Sequence, residues 1–263
     1  MVFPRAAHLT KPAKSSDVDA NLAVMRAQIS SLLVSIGPEF KAVVFDLDGV
    51  LIDTEQTKYQ VWRHVFEDFG ARFTRRQWQT LIGTTREESP ISWLRDRATS
   101  PLPDPDDLQA LLLAEEMSAI ENLGAMPGVR EWIDEADELG LALAVASSSS
   151  RNWVEARLEQ IGLSTRFAAV ICPTSELRSK PSPDLYLAAA QALTVEPSHA
   201  VAIEDSMNGI AAARDAGFAC IAVPNALTID MDLSRAHHRL RSLAGSSLAA
   251  TLTVLAQSID EEE

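Results

Sequence analysis

Cysteine is scarce in this 263-residue chain. Cys172 and Cys220 stand far apart, each within or beside an apolar run, which excludes a disulfide framework and points to two buried free thiols. Clusters of Cys and His with metal-ligand spacing are missing too, so a metal would have to be held by oxygen. No apolar run approaches the roughly 20 residues that span a bilayer, and the N-terminus lacks the apolar region of a signal peptide. The expectation is a cytoplasmic protein with no membrane partner. Positive charge is also short: 23 Lys and Arg against 37 Asp and Glu give a formal net charge of -14. Such a surface repels nucleic acid, and an anionic substrate would need a local group of positive side chains. Apolar material is plentiful at 46%, enough for one large domain or a core carrying an insert.

The stretch from Val43 to Glu55, VVFDLDGVLIDTE, organises the rest. An apolar run meets Asp46, a second carboxylate follows at Asp48, and Gly49 lets the backbone leave the strand direction. Burying two carboxylates at a strand end costs several kcal/mol per ion unless a cation or hydrogen-bond donors compensate, so the pattern implies a cation.

Before this stretch, residues 1–40 read as an extension outside the main pattern. Its first 16 residues have the composition of a mobile tail, and one helix is expected over 21–35, with Leu22, Met25, Ile29, Leu32 and Leu33 on one face. From Glu55 to about Asn122 the rhythm is helical, punctuated by Gly70, Gly83, Pro90 and the prolines at 101–105. Four helices are expected there, with Trp62, Trp78 and Trp93 in their shared core. From Gly128 onward, short apolar runs at 141–146, 168–171, 200–203 and 219–223 alternate with amphipathic segments at 129–139, 151–161, 183–193 and 206–216. That alternation predicts right-handed crossovers and a parallel sheet. The expected fold is therefore α/β: a Rossmann-like three-layer core around a central parallel sheet, built from 41–53 and 127–263, with an all-helical cap inserted at 54–126.

Ligands of open parallel sheets bind beyond the carboxyl ends of the strands, so the residues after each apolar run matter most. After 141–146 come Ser147 to Ser150, where a hydroxyl and the free N–H groups of the next helix make an anion site. Lys180 precedes Pro181 and Pro183 at a helix start. Glu204, Asp205 and Ser206 close the run at 200–203, repeating the opening theme; together with Asp46 and Asp48 they supply the oxygen ligands that Mg²⁺ prefers.

These four segments, in this order, resemble the signatures of the haloacid dehalogenase superfamily: DLDGVLIDTE, Ser147, the Lys-Pro-x-Pro-Asp-x-Tyr of 180–186, and the Glu-Asp-Ser-x-x-Gly pattern from Glu204. The resemblance runs from about Lys41 to Asn225. It implies that Asp46 attacks a substrate phosphorus to form an aspartyl-phosphate. Asp48 would serve as acid and then base, with its backbone carbonyl also on the metal. Asp46, Asp48, Asp205 and Glu204 would attend Mg²⁺, with Glu204 either a ligand or behind one. Ser147, Ser148, Gly49 and Lys180 would hold the transferring phosphoryl group. Dehalogenation is excluded by Asp48, since the dehalogenases of this resemblance lack an acid there.

The cap stretch GTTREES at 83–89 is similar to that of β-phosphoglucomutases, in which the arginine at the position of Arg86 binds the far phosphate of a bisphosphate. Those mutases carry His where this chain has Lys58, and they lack the VPNALT ending at 223–228. That ending, with Lys58 to Trp62, resembles phosphatases acting on small sugar phosphates. A phosphatase is therefore expected, with Lys58 reaching the site or pairing with Glu55. The alternatives are a phosphomutase and a catalytically idle binding subunit. The expected partner is a small phosphorylated metabolite, bound by a monomer or homodimer.

Overall fold

A computed structural model of the chain describes residues 40–82 and 90–260. The expected helix over 21–35 and the cap stretch with Arg86 lie outside the described residues.

The first strand, β1 (Ala42–Phe45), lies in the interior of a six-stranded sheet. The others are β2 (Ala142–Ala146), β3 (Ala169–Ile171), β4 (Ala200–Glu204), β5 (Ala219–Ala222) and β6 (His238–Arg239). Their order is β3-β2-β1-β4-β5-β6 and every pairing is parallel. The chain builds outward from β1 on one side and then crosses to β4 on the other. The β1/β4 boundary is thus the switch point where ligands of such sheets bind. Register makes the point concrete: Phe45 is level with Val145 on β2 and Ile203 on β4. The residues that follow them, Asp46, Ala146–Ser147 and Glu204–Asp205, leave the sheet at one edge.

Alternation along β1 divides the core into two layers. Val43 and Phe45 pack with Trp132, Ile133, Val154 and Leu158 on one face. Ala42 and Val44 pack with Leu185, Tyr186, Ala189 and Ile210 on the other. The helices that supply these side chains are α5 (Val129–Glu138) and α6 (Arg151–Gln160) on the first face, and α7 (Asp184–Leu193) and α8 (Met207–Asp215) on the second. Strands buried on both faces must be apolar throughout, which is why they appear in the sequence as uninterrupted runs. A C-terminal helix, α9 (Leu248–Asp260), adds Leu248, Leu252 and Leu255 to the first face. Neither β6 nor α9 was among the expected elements.

Between β1 and α5 the chain makes α1 (Thr54–Asp68), α2 (Arg75–Gln79), α3 (Pro90–Arg97) and α4 (Pro105–Ile120). They share their own core: Trp62, Phe66, Phe73, Trp78, Leu94, Leu108 and Leu112 are buried together, with Trp93 packed against them. Phe66 and Phe73 stack at 4.6 Å between ring centroids. The tryptophans are bundle core, as the helical spacing predicts. The two chain crossings into this cap are tied together by a bond from the Met126 N–H to the Leu51 carbonyl, 2.9 Å. Both cysteines are buried and unpaired. No described helix is long and apolar enough to cross a membrane.

Candidate active site

Asp46 continues the sheet by one residue, its N–H donating to the Ile203 carbonyl at 3.0 Å, and so its carboxylate emerges beside the tip of β4. There it meets Lys180. The lysine, 3% exposed, donates from Nζ both to Asp46 Oδ1 and to Glu204 Oε1, the latter at 2.6 Å. Glu204 is wholly enclosed: Tyr186 donates its hydroxyl to Oε1 at 2.6 Å and Ser206 donates to Oε2 at 3.3 Å. Gly209 leaves the room it needs, because a Cβ there would stand 2.0 Å from the Glu204 carboxylate. Asp205, 1% exposed, completes the group, and Asp46, Glu204 and Asp205 each offer an oxygen within 4.8 Å of the others.

Three buried carboxylates against one ammonium leave excess negative charge in a buried site. Burial, followed by repulsion from Glu204 and Asp48, pushes the Asp46 carboxyl up to about 8 despite Lys180. Asp205 is raised well above the carboxylate range by burial and by Asp46, Glu204 and Glu55. Burial disfavours the Lys180 charge, yet Asp46 and Glu204 outweigh it and raise its pKa. An all-oxygen set of this kind, short of positive charge, suits a hard divalent cation. The cradle is shaped accordingly: Gly49, at φ +93°, has no Cβ, and one would lie 2.4 Å from Asp205 Oδ2.

Asp48 points elsewhere. Its carboxylate accepts from Thr54 Oγ1 at 2.5 Å, Ser149 Oγ at 2.6 Å and Trp153 Nε1 at 3.0 Å. Lys58 Nζ stands 4.0 Å away, and also lies 4.1 Å from the centre of the Trp153 ring. Burial pushes this carboxyl up, but Lys58 and the three donors outweigh it and hold it below its ordinary value. Lys58 therefore meets Asp48, while Glu55 accepts a hydrogen bond from Trp78 Nε1 at 3.0 Å.

The four consecutive serines after β2 do four different things. Ser147, 1% exposed, accepts the Ser149 N–H at 3.1 Å. Ser148 Oγ is buried with no hydrogen-bond partner among the described residues. Ser149 holds Asp48, and Ser150 caps α6 by accepting the Trp153 N–H. The helix cap is thus Ser150, and Ser147 and Ser148 are the two that neither cap the helix nor hold Asp48.

Sequence reasoning brought Asp46, Asp48, Ser147, Lys180, Glu204 and Asp205 to one sheet edge, and the structure gathers them there. It missed Thr54, Ser149 and Trp153 around Asp48. It also missed Asn225, whose Nδ2 donates to Asp205 Oδ2 at 2.6 Å. Asn225 lies in the VPNALT ending, so a signal was present without a role attached to it.

A sequence profile of the haloacid dehalogenase-like hydrolases matches residues 43–223, which span all of these strand tips. YhcW of Bacillus subtilis, whose name provisionally makes it a phosphatase, is 37% identical over 212 residues, covering 81% of this chain and 96% of that one. The β-phosphoglucomutase of the same organism is 32% identical over 189 residues, 70% of this chain and 83% of the other. Among solved structures, a mutant CbbY from Rhodobacter sphaeroides in complex with xylulose 1,5-bisphosphate superposes with a TM-score of 0.65 at 30% identity, covering 80% of this chain and 98% of its own. With the parallel sheet, the inserted helical cap and the carboxylate-lined strand tips on one edge, the chain belongs to the haloacid dehalogenase-like hydrolase family and is an enzyme of its phosphatase branch.

Proposed function

We propose that the chain is a Mg²⁺-dependent phosphatase that hydrolyses a small sugar phosphate through an aspartyl-phosphate on Asp46, beneath a cap formed by residues 54–126. The observation that carries this reading is the contrast between two carboxylates two residues apart, one held by Lys180 beside other acids and one held ionised by Lys58 and three donors.

Asp46, Asp205 and the Asp48 backbone carbonyl are the groups to hold Mg²⁺, which when bound would offset the charge of the carboxylates and of the phosphoryl oxygens. Glu204 has both oxygens engaged by Lys180, Tyr186 and Ser206, which fits a place behind the ligands, where it fixes the lysine. Lys180 and the hydroxyls of Ser147 and Ser148 hold the transferring group. Asp46 forms a bond to phosphorus as the bond from phosphorus to the substrate oxygen breaks. Asp48, carrying the proton it took in the preceding turnover, delivers it to that departing oxygen and then takes one from the water that cleaves the aspartyl-phosphate. Its ring of donors in this arrangement suits the second, proton-accepting half.

A phosphate-release screen over phosphorylated metabolites tests the proposal. Turnover is expected with Mg²⁺, none after chelation, and a loss of at least about a thousandfold in Asp46→Asn. Turnover that persists without metal or without Asp46 refutes it. β-Glucose 1-phosphate with a bisphosphate primer belongs in the panel, because isomer without free phosphate would establish a mutase instead.

A further inference from the structure

The loop after β5 links two parts of the molecule that otherwise have separate cores. Leu227, although it follows the last central strand of the α/β core, is 1% exposed and buried in the aromatic cluster of the cap, among Trp62, Phe66, Phe73 and Trp78. Its carbonyl accepts from Gln79 Nε2 at 2.6 Å and Arg75 Nη2 at 3.2 Å, both on α2 of the cap. The same two side chains reach Asp230 Oδ1. The cap therefore grips this loop by an apolar side chain and by its backbone.

Two residues earlier, Asn225 turns that grip toward the carboxylates. Its Oδ1 accepts the N–H groups of Leu227 at 2.9 Å and Thr228 at 3.2 Å, while its own N–H donates to Thr228 Oγ1 at 3.0 Å. With the carbonyl end of the amide committed to the turn, the Nδ2 end must face Asp205, where it donates to Oδ2 at 2.6 Å. It is the hydrogen-bond donor to the Asp205 side chain among the described residues. Asn225 takes this orientation while the Leu227–Thr228 backbone keeps its place, and from the cap side that backbone is held by Gln79 and Arg75 at the Leu227 carbonyl.

The geometry points to Asn225 and Leu227 as a latch that makes the seating of the cap and the orientation of Asp205 one event. Asn225 is the positioning residue and Leu227 the sensor of the cap. Resting on the reading of Asp205 as a Mg²⁺ ligand, it follows that cap docking raises Mg²⁺ affinity and that Mg²⁺ favours the docked cap by the same factor.

Calorimetric titration of Mg²⁺ into the metal-free full-length protein reads this without turnover. Asn225→Ala should weaken Mg²⁺ binding by about tenfold or more, the usual consequence of losing a hydrogen bond to a ligating carboxylate. Leu227→Ala should weaken it by about fivefold although it contacts no carboxylate of the site, and the double variant should bind no more weakly than Asn225→Ala alone. Gln79→Ala, which keeps the apolar cluster intact, serves as a milder second test and should act in the same direction. Asn208→Ala is the control: it cuts another core–cap bond, Nδ2 to the Ile82 carbonyl at 3.2 Å, without touching the Asn225 turn, and should leave affinity unchanged. Wild-type affinity in both Leu227→Ala and Gln79→Ala overturns the latch, as does an equal loss in Asn208→Ala. Absence of Mg²⁺ binding by the wild type overturns the metal reading itself.

Discussion

Asp46 and Asp48 are separated by one leucine and by opposite electrostatics. Around Asp46 the neighbours are other acids and a single lysine shared with Glu204, so burial dominates and the carboxyl rises to about 8. Around Asp48 the neighbours are a lysine, two hydroxyls and an indole N–H, and the carboxyl falls. Both side chains are largely buried, so burial alone does not distinguish them. What differs is who is there: β4 and the Lys180 turn on one side, α1 and the start of α6 on the other. Pairs of titratable groups pushed apart by their surroundings are how one site obtains two chemical roles from one residue type.

The sharpest way to break that division is Asp48→Asn. If Asp48 serves only protons, turnover of an alkyl phosphate should fall by about a hundredfold to ten-thousandfold. An aryl phosphate, whose leaving group needs little protonation, should still give a burst of phenol as Asp46 is phosphorylated, followed by slow release of phosphate. Quenched-flow measurement of both products checks this. Absence of the burst would put Asp48 in the first bond-making step and dissolve the contrast with Asp46.

Metal-free stability probes the other half of the pair. In the folded protein Asp46 binds its proton up to about pH 8, whereas in the unfolded chain it releases it near the ordinary value of 3.8. Between those limits the native state holds more protons than the unfolded one, so stability falls as pH rises. The melting temperature of the metal-free wild type should therefore drop from about pH 5 to about pH 8, and the slope should flatten in Asp46→Asn. Equal slopes would mean that burial does not govern Asp46.

Much of this was legible because the sheet converts sequence position into space. An apolar run buried on both faces shows itself without ambiguity, and register then brings the next one or two residues of each run to a common edge. Asp46, Ser147 and Glu204–Asp205 could be grouped for that reason, and the helices between the strands fell where their amphipathic spacing put them. β6 was invisible, being two polar residues, His238–Arg239, with no periodicity to read. The surroundings of Asp48 were hidden differently. Trp153 lies 105 residues away and looks, in sequence, like the apolar face of a helix. Leu227 resembles any loop leucine, because its burial comes from a cap that packs separately.

Trp153 also offers the finest test of the comparison. Its indole N–H is one of three donors that keep Asp48 ionised, and its ring carries Lys58 at 4.1 Å, so the residue acts on Asp48 both directly and through the lysine. Phenylalanine in its place keeps an aromatic face for Lys58 but removes the donor. The Asp48 pKa should then rise, and the acid limb of the kcat profile for an aryl phosphate, whose slow step is hydrolysis of the aspartyl-phosphate and in which a protonated Asp48 cannot accept from water, should move to higher pH. The plateau at neutral pH should change only a few-fold, since Thr54, Ser149 and Lys58 still hold the carboxylate. A profile that keeps its acid limb while the plateau collapses would make Trp153 a packing residue and leave the lowered pKa of Asp48 to Lys58 and the two hydroxyls.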